Sequence, residues 1–274
     1  MLANLIGNLT ISGNAGKTSA EKLSAFWLVL KLHFKIRFNG KKSSGCDIKI
    51  FGYKIHGSSY NGLLYLFKEI FILHEYKPKY ATYSKPLIID CGANIGCATL
   101  YFKRLFPESQ IICFEAYTPT FMLLEKNITG NKIEGVTIYN KALAANEGEI
   151  SFFITEDENG LINSALKGRG VATEIKVPSV KLSGFIKESG IVNLVKMDVE
   201  GSETAIIDEL IESGTLGKVD EYIIEYHHNL NNNSQKLPGF LTKFETQGFK
   251  YSLRAGFQEP GSVQDILIHF YKEK

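Results

Sequence analysis

The stretch 87–96 constrains the fold of this chain more than any other. An apolar run ends there in Asp90, and a turn of small residues containing Gly92 and Gly96 follows before an apolar helical pattern begins at Cys97. This order predicts a buried strand, a tight loop and the start of a helix. In open α/β sheets ligands bind at such strand ends, where glycine lets the backbone come close to the ligand. We therefore expect a binding loop here, although an ordinary strand-to-helix turn has the same local pattern.

Two nucleotide-binding motifs are excluded by their spacing. A dinucleotide loop has the form G-x-G-x-x-G, but counting from Gly92 the second and third glycine positions hold Asn94 and Cys97. A phosphate loop ending in Gly16 would need its first glycine where this chain has Ile11. The polar segment that contains Gly16 is therefore predicted to be a loop that leads into a helix.

Length and composition set the broad class of protein. The 274 residues suit one domain with an appendage, and the net charge of +2 is too small to indicate a nucleic-acid partner. The four cysteines form no C-x-x-C pair, and three lie in or beside apolar runs, which is typical of core thiols in a reducing compartment. Residues 1–20 lack the pattern of a signal peptide, and no apolar stretch of about 18 residues occurs, so we expect a cytoplasmic protein.

The N-terminal part is predicted to contain a helix and a β-hairpin. Thr18 and Glu21 have the spacing of a capping box, which places the start of a helix there. From 30 to 38 apolar and basic residues alternate, and this pattern predicts a half-buried strand. With the strand-like run 47–56 it would form a hairpin with one basic face. A solvated sheet edge explains such a face, and the alternatives are an acceptor platform, a homodimer contact or a peripheral membrane contact.

The remaining chain alternates between strand and helix patterns. This order predicts an α/β fold with a mostly parallel sheet, right-handed crossovers and an antiparallel strand near the C-terminus. We expect two units, an α+β appendage at 1–84 and the main domain at 85–274. The predicted strands of the main domain are 87–90, 110–114, 136–139, 150–154, 175–180, 193–197, 220–228, 249–253 and 266–271.

Four segments, in this order, resemble the motifs of the FkbM family of S-adenosylmethionine (SAM) dependent methyltransferases. They are D-C-G-A-N-I-G at 90–96, F-E-A-Y-T-P at 114–119, N-K-A-L at 140–143 followed by E-G at 147–148, and K-M-D-V-E-G at 196–201. The resemblance implies a class I, Rossmann-like methyltransferase sheet with SAM as cofactor. It also implies methyl transfer to a hydroxyl oxygen, on a sugar of a glycan or glycolipid or on a small molecule such as a polyketide.

A SAM site needs close backbone for the methionine end, an acid for the ribose and an apolar slot for the adenine. Glu115 ends the strand after the glycine loop, and an acid there can accept hydrogen bonds from both ribose hydroxyls. Its alternative role is a charged strand end that faces water. The predicted cofactor-binding residues are Asp90, Gly92, Asn94 and Gly96 for methionine, Glu115 for ribose, and Ala142 and Leu143 for adenine. The last two are alternatively plain core residues, and Asn163 and Ser164, in a predicted loop, are further candidates for contact with SAM or acceptor.

Two strand ends carry acids and an imidazole at a spacing of two residues. Asp198 and Glu200 follow one strand, and Glu225 and His227 end the next. Because side chains two residues apart in a strand point to the same side, we expect the two members of each pair to face the same way. If the two strands are neighbours, these groups converge beside the glycine loop. An alcohol needs a base that takes its proton as the methyl group is transferred. The predicted catalytic residues are His227, Asp198 and Glu200, and Asp198, Glu225 and His227 are candidate ligands of a divalent metal.

Structural roles and rival functions remain open at this level. His227 alternatively belongs to a polar strand end, and Glu200 to an acidic helix start. A methyltransferase acting on planar amines or nucleic acid commonly carries Asn-Pro-Pro or Asp-Pro-Pro where this chain has Asp198-Val199-Glu200-Gly201, without proline. A binding module that keeps the SAM fold without catalysis is the second rival.

Overall fold

The computed structural model describes residues 2–38, 45–79, 83–155, 163–164, 172–230, 236–259 and 261–273. The helices are α1 (Leu2–Ile11), α2 (Ser19–Phe38), α3 (Tyr60–Leu66, continued by a π-helical turn Phe67–Ile72), α4 (Cys97–Leu105), α5 (Thr118–Gly130), α6 (Leu182–Ser189), α7 (Glu203–Glu212) and α8 (Leu237–Glu245). The strands are β1 (Cys46–Ile50), β2 (Tyr53–Gly57), β3 (Leu87–Cys91), β4 (Gln110–Phe114), β5 (Val136–Tyr139), β6 (Ala142–Leu143), β7 (Gly148–Thr155), β8 (Asn163–Ser164), β9 (Ala172–Val180), β10 (Val192–Met197), β11 (Val219–His228), β12 (Lys250–Ala255) and β13 (Gln264–Tyr271).

A seven-stranded sheet in the order β12-β13-β11-β10-β3-β4-β5 forms the centre of the molecule. Five neighbouring strands of this sheet run parallel to one another, namely β11, β10, β3, β4 and β5. Strand β13 is antiparallel to both of its neighbours, β11 and β12. The prediction of a Rossmann-like, mostly parallel sheet with an antiparallel C-terminal strand is confirmed. The strand order changes direction between β3 and β10, and open α/β sheets bind ligands at such a switch point. The loops after β3 and β10 therefore lie where a ligand is expected.

A second, four-stranded sheet in the order β6-β9-β7-β8 lies beside the first. In this sheet β6 pairs with β9 in parallel, and β7 pairs with β9 antiparallel. Asn163 and Ser164 were predicted to lie in a loop, but they form β8, which pairs with β7. The segments 156–162 and 165–171 on either side of them lie outside the described residues.

The hairpin prediction for the N-terminal part was wrong in its first strand. Residues 30–38 continue α2, and the hairpin is formed by β1 and β2, which are antiparallel and joined by a turn at Phe51 and Gly52. The alternation arises because α2 carries apolar residues on two faces, one packed on the core and one exposed. The predicted capping box is confirmed, since Thr18 Oγ1 accepts from the Glu21 amide and Glu21 Oε2 accepts from the Thr18 amide, both at 3.2 Å.

The core of the main sheet continues into the N-terminal elements. One hydrophobic cluster joins Val29 and Leu32 of α2, Phe67 and Phe71 after α3, and Phe102 of α4. The division at residue 84 therefore marks a change of architecture within one packed core, and it stays a prediction as a domain boundary. All four cysteines are free and buried, as expected of core thiols. Within the described ranges, no helix is long and apolar enough to cross a membrane.

Candidate active site

The loop after β3 is pressed against the end of β10. Gly92 has φ +77°, and a Cβ atom added there would lie 1.8 Å from the Asp198 carbonyl oxygen. The Asp198 amide donates to the Cys91 carbonyl at 3.0 Å. Only glycine fits this approach, because any side chain would overlap backbone that is itself hydrogen-bonded. The close contact brings the glycine loop and the first acid after β10 together.

Asn94 and Gly96 shape the same loop in different ways. Asn94 has φ +50°, and its amide donates to Glu115 Oε2 at 3.0 Å, while its side-chain oxygen accepts from the Ile95 amide at 2.7 Å. Gly96 precedes α4 with φ +89°, and a Cβ there would lie 2.8 Å from Leu124 Cδ1 of α5. Asn94 lines the cavity beside the loop, whereas Gly96 gives the close packing of the loop on α5.

Glu115 is held by backbone donors on both of its oxygens. The Tyr117 amide donates to Oε1 at 2.9 Å, in addition to the bond from Asn94 to Oε2. Burial raises the pKa of Glu115 to about 7, although these two hydrogen bonds oppose the shift. Each oxygen keeps a lone pair for a further donor. The Glu115 carboxylate is therefore oriented towards the cavity, and its charge changes near neutral pH.

A cleft enclosing about 660 Å³, including its open mouth, lies over the carboxyl ends of β3, β4 and β10. Seven of the predicted site residues line it: Gly92, Asn94, Glu115, Ala142, Leu143, Asp198 and Glu200. One end is apolar, formed by Phe114, Leu143, Ile150 and Phe152. Ile150 and Phe152 of the second sheet were not predicted to belong to the site, because only the pairing of β7 with β9 brings them there.

Asp90 does not line the cleft. Its side chain is completely buried, and it accepts a hydrogen bond from Thr99 Oγ1 at 2.7 Å. Its Oδ1 lies 3.4 Å from Lys196 Nζ, which donates to the Gly92 carbonyl at 2.7 Å and lies 3.7 Å from Asp198 Oδ2. Burial lowers the pKa of Lys196, but the charges of Asp90 and Asp198 outweigh it and raise the pKa. Asp90 thus holds a buried ammonium under the glycine loop.

The acids of β10 and β11 converge, as the sequence predicted for neighbouring strands. The two strands are parallel, with Met197 opposite Ile224. His227 is buried, and its Nε2 lies 3.2 Å from Glu200 Oε2 and 3.9 Å from Asp198 Oδ1. The sequence alone did not indicate which residues would stand behind this imidazole.

Glu203 and Asp265 complete the surroundings of His227. Glu203, at the start of α7, is buried and its Oε1 lies 2.7 Å from His227 Nδ1. Asp265 of β13 has Oδ1 3.9 Å from His227 Nε2. Burial lowers the pKa of His227, but Glu203, then Glu200 and Asp198, outweigh it and raise the pKa well above its usual value. The surrounding carboxylates therefore favour the protonated form of His227.

Tyrosines from the N-terminal elements border the same acids. The Tyr76 hydroxyl oxygen lies 3.4 Å from both Asp198 Oδ2 and Glu225 Oε2, so its single proton is shared between these two acceptors. Burial and the charge of Asp198 raise the pKa of Glu225 to about 8, although His227 opposes the shift. Tyr65 of α3 is half exposed. Burial raises the pKa of its hydroxyl, and the negative charge of Glu225 raises it further. We name the group Asp198, Glu200, Glu225, Asp265 and His227 the acidic cluster.

The donor atoms of the acidic cluster fit a divalent cation. One oxygen each of Asp198 and Glu200 and one nitrogen of His227 lie within 4.8 Å of one another, and so do those of Glu225, His227 and Asp265. A carboxylate on the second imidazole nitrogen, here Glu203, is common for metal-bound histidine. Oxygen donors with one imidazole suit several divalent metals. The same arrangement suits a proton-accepting site.

The segment 90–251, more than half of the chain, matches the family model described as the Methyltransferase FkbM domain. The chain belongs to the FkbM methyltransferase family. The prediction made from the four motifs is thereby confirmed, and the protein is a methyltransferase. Membership also supports SAM as the cofactor, as the motifs predicted. The match spans the glycine loop, Glu115 and the acids after β10.

Three curated relatives of this FkbM-family chain are informative. Methyltransferase sdnD of Sordaria araneosa is 29% identical over 174 residues, covering 52% of this chain and 67% of the relative. Methyltransferase 1 of Beauveria bassiana (strain ARSEF 2860) is 30% identical over 201 residues, covering 66% of this chain and 79% of the relative. The 2-O-methyltransferase NoeI of Sinorhizobium fredii (strain NBRC 101917 / NGR234) is 24% identical over 138 residues, or 44% of this chain and 56% of NoeI.

Proposed function

We propose that this methyltransferase transfers the methyl group of SAM to a hydroxyl oxygen of a sugar. The observation that carries the proposal is the position of Asp198, which lines the cleft and also belongs to the acidic cluster. An acceptor hydroxyl bound to Asp198 would lie at the border between the cleft that binds SAM and the acidic cluster. NoeI, whose name specifies 2-O-methylation, supports oxygen as the target atom.

The donor side of the proposal uses the cleft. The methionine end of SAM would lie along the loop at Gly92 and Asn94, its ribose hydroxyls would donate to Glu115, and its adenine would enter the apolar end at Ala142 and Leu143. Asp90 and Gly96 would act through the loop, by holding Lys196 and by packing on α5. The cationic sulfonium would then face the carboxylates after β10, which are favourable neighbours for a positive charge.

The acceptor side assigns the base to Asp198, with His227 behind it. The side chain of Asp198 is 26% exposed and that of His227 only 1%, so Asp198 is the group that an acceptor can reach. Methyl transfer is an in-line displacement: the oxygen attacks the methyl carbon, and the sulfur leaves with the electron pair of the broken bond. Asp198 would take the hydroxyl proton as attack proceeds. The cation of His227, fixed by Glu203, would orient Asp198 and Glu200.

A sugar acceptor fits the surroundings better than a nucleic acid. Carboxylates accept hydrogen bonds from neighbouring hydroxyl groups, and the half-exposed ring of Tyr65 offers an apolar face to a sugar ring. The same carboxylates would repel phosphates. A hydroxyl of another small molecule, such as a polyketide, is the alternative acceptor. A SAM-binding module without catalysis is the second alternative, and transfer of the methyl group would exclude it.

Incubation with methyl-deuterated SAM tests the function. We expect mass spectrometry to find a labelled methyl ether on a hydroxyl when sugars, glycan fragments and hydroxylated small molecules are supplied as acceptors. Label on a nitrogen atom would contradict transfer to oxygen. Label on small-molecule hydroxyls, with sugars unlabelled at equal concentration, would favour the alternative acceptor.

Affinity for SAM should fall as the pH is lowered, because of Glu115. Its pKa is raised to about 7, and ribose hydroxyls donate better to the ionised carboxylate than to the protonated acid. SAM binding therefore weakens as Glu115 becomes protonated, by about tenfold between pH 8 and pH 6. Calorimetry over this range measures the effect, and Glu115→Gln should bind weakly with a flat profile. An equal slope in the wild type and in this variant would exclude Glu115 as its source.

Catalysis should survive the removal of divalent cations. A cation held by Asp198, Glu200 and His227 would acidify a bound hydroxyl. In our proposal Asp198 performs this task without it, so turnover after EDTA treatment and gel filtration should equal that of the untreated enzyme. Complete loss of turnover, restored by Mg²⁺ or Mn²⁺ alone, would assign the deprotonation to a bound cation instead.

A further inference from the structure

The outer side of α2 carries an unusual group of exposed apolar side chains. Among the described residues, twelve large hydrophobic side chains are exposed, and five of them belong to this one helix. They are Leu23, Phe26, Trp27, Phe34 and Phe38. Trp27, Phe34 and Phe38 are each more than half exposed, at 57%, 62% and 67%. Large apolar groups concentrated on one surface usually mark an interaction site.

These side chains form a continuous face of the helix. At 100° per residue, Leu23, Trp27, Phe34 and Phe38 fall within about 60° of one another. The buried residues of α2 project to the opposite side and fill the hydrophobic core; they are Ala25, Leu28, Val29 and Leu32. The exposed residues are therefore not required for packing of the helix. Phe34 and Phe38 contact each other, with ring centroids 4.3 Å apart.

Basic side chains surround this apolar face. Lys22, Lys31 and Arg37 of α2 are exposed. The one acid in the sequence of α2 is Glu21, and it lies 2.8 Å from Arg104 Nη2 of α4. Arg104 thus compensates the negative charge of Glu21, so that this charge does not offset the basic residues on the outer side of α2. The net charge of the outer side is positive.

A basic groove enclosing about 520 Å³, including its open mouth, lies at the edge of the same face. Trp27 forms part of its wall, and Lys31, Lys35 and Lys49 border it. Lys49 of β1 is exposed, whereas Lys35 donates to the Tyr60 hydroxyl at 2.7 Å. The groove therefore places two exposed ammonium groups beside an exposed indole ring. This combination suits a phosphate group whose other end is apolar.

We propose that this outer face of α2 docks onto the surface of an anionic lipid bilayer. Aromatic and leucine side chains would enter the boundary between headgroups and acyl chains, and the lysines and Arg37 would contact lipid phosphates. Helices that lie in a membrane surface combine an aromatic apolar face with flanking basic residues in this way. The helix lies on the bilayer and does not cross it, in keeping with its four basic residues.

A second copy of the chain is a less suitable partner for this face. A symmetric contact would bring the same surface of two molecules together, so that Lys31 and Arg37 would approach like charges. Removing these cations from water without acidic partners is unfavourable. An anionic bilayer supplies both the apolar layer and the compensating charge.

Trp27 gives a direct test, because it is the only tryptophan in the chain. With vesicles of phosphatidylcholine and phosphatidylglycerol, its emission should shift to the blue and be quenched by brominated acyl chains. Vesicles of phosphatidylcholine alone should bind much more weakly, and high salt should reduce binding to the anionic vesicles. Unchanged emission with anionic vesicles, or equal binding to both kinds of vesicle, would overturn the proposal. So would a blue shift that follows dimer formation in the absence of lipid.

Matched variants separate the two parts of the face. Phe34→Ser with Phe38→Ser should weaken vesicle binding at least tenfold, whereas Phe257→Ser, at the 96% exposed Phe257, should leave it unchanged. Lys31→Gln and Arg37→Gln should each weaken binding about fivefold, with Lys126→Gln on the exposed side of α5 as the control. SAM affinity, measured by calorimetry, should equal that of the wild type in all of them. Equal vesicle binding by test and control variants would contradict the assignment of this face.

Discussion

Asp198→Asn should lower kcat by about 10²- to 10⁴-fold, the range expected when a general base is lost. Asparagine keeps the size of the side chain and its hydrogen bond from Tyr76, but it cannot accept the proton of the acceptor hydroxyl. Because Asp198 lines the cleft beside the expected sulfonium, affinity for SAM should fall slightly. Affinity for S-adenosylhomocysteine, which lacks that charge, should stay unchanged. Steady-state kinetics with the identified acceptor and calorimetry with both ligands measure these effects.

Controls distinguish a base from a structural residue. Glu212→Gln, at an exposed position near the end of α7, should leave kcat unchanged. His227→Gln should lower kcat by a smaller factor than Asp198→Asn, since in our proposal His227 orients the base and does not touch the acceptor. A kcat for Asp198→Asn within twofold of the wild type would exclude Asp198 as the base. A larger loss for His227→Gln would return the role to His227.

Gly92→Ala should destabilise the protein by roughly 2–5 kcal/mol and abolish SAM binding. Two costs combine at this position. A non-glycine residue is strained at φ +77°, and the new Cβ would lie 1.8 Å from the Asp198 carbonyl oxygen. Relief of the overlap must move either the glycine loop or the end of β10. Both border the cleft, so the site is displaced even in molecules that remain folded.

Gly214→Ala is the matched control for this substitution. Gly214 also has positive φ, at +69°, but a Cβ there would meet nothing within 4 Å. It should therefore cost only the conformational strain, about 1–2 kcal/mol, and leave SAM binding intact. Chemical denaturation and calorimetry on both variants separate the two costs. If Gly92→Ala were as stable as Gly214→Ala and bound SAM normally, the close approach would have no functional importance.

The sequence was most informative for features that depend on residues close together in the chain. The apolar run ending in Asp90, the small-residue loop and the acid of the next strand indicated the binding edge of the sheet, because parallel strands bring their carboxyl ends together. The convergence of Asp198 and His227 followed once β10 and β11 were taken as neighbours. Spacing, together with the expected pairing of these two strands, thus predicted part of the group that gathers at the sheet edge.

Other features depend on contacts that spacing does not show. The strand prediction for 30–38 failed because exposed aromatic residues on α2 imitated the alternation of a half-buried strand. Glu203 reaches His227 from α7 and Asp265 approaches from β13, so no local pattern linked them to the site. Asp90 was expected beside the ligand, but burial next to Lys196 gives it a supporting position.

A crystal structure with S-adenosylhomocysteine would show whether the cleft is the donor site. We expect the ligand over the carboxyl ends of β3 and β4, with both ribose hydroxyls within hydrogen-bond distance of Glu115. Its adenine should contact Leu143, and its sulfur should face Asp198. A ligand bound elsewhere, or in this cleft with its ribose turned away from Glu115, would contradict the proposed division between donor and acceptor residues.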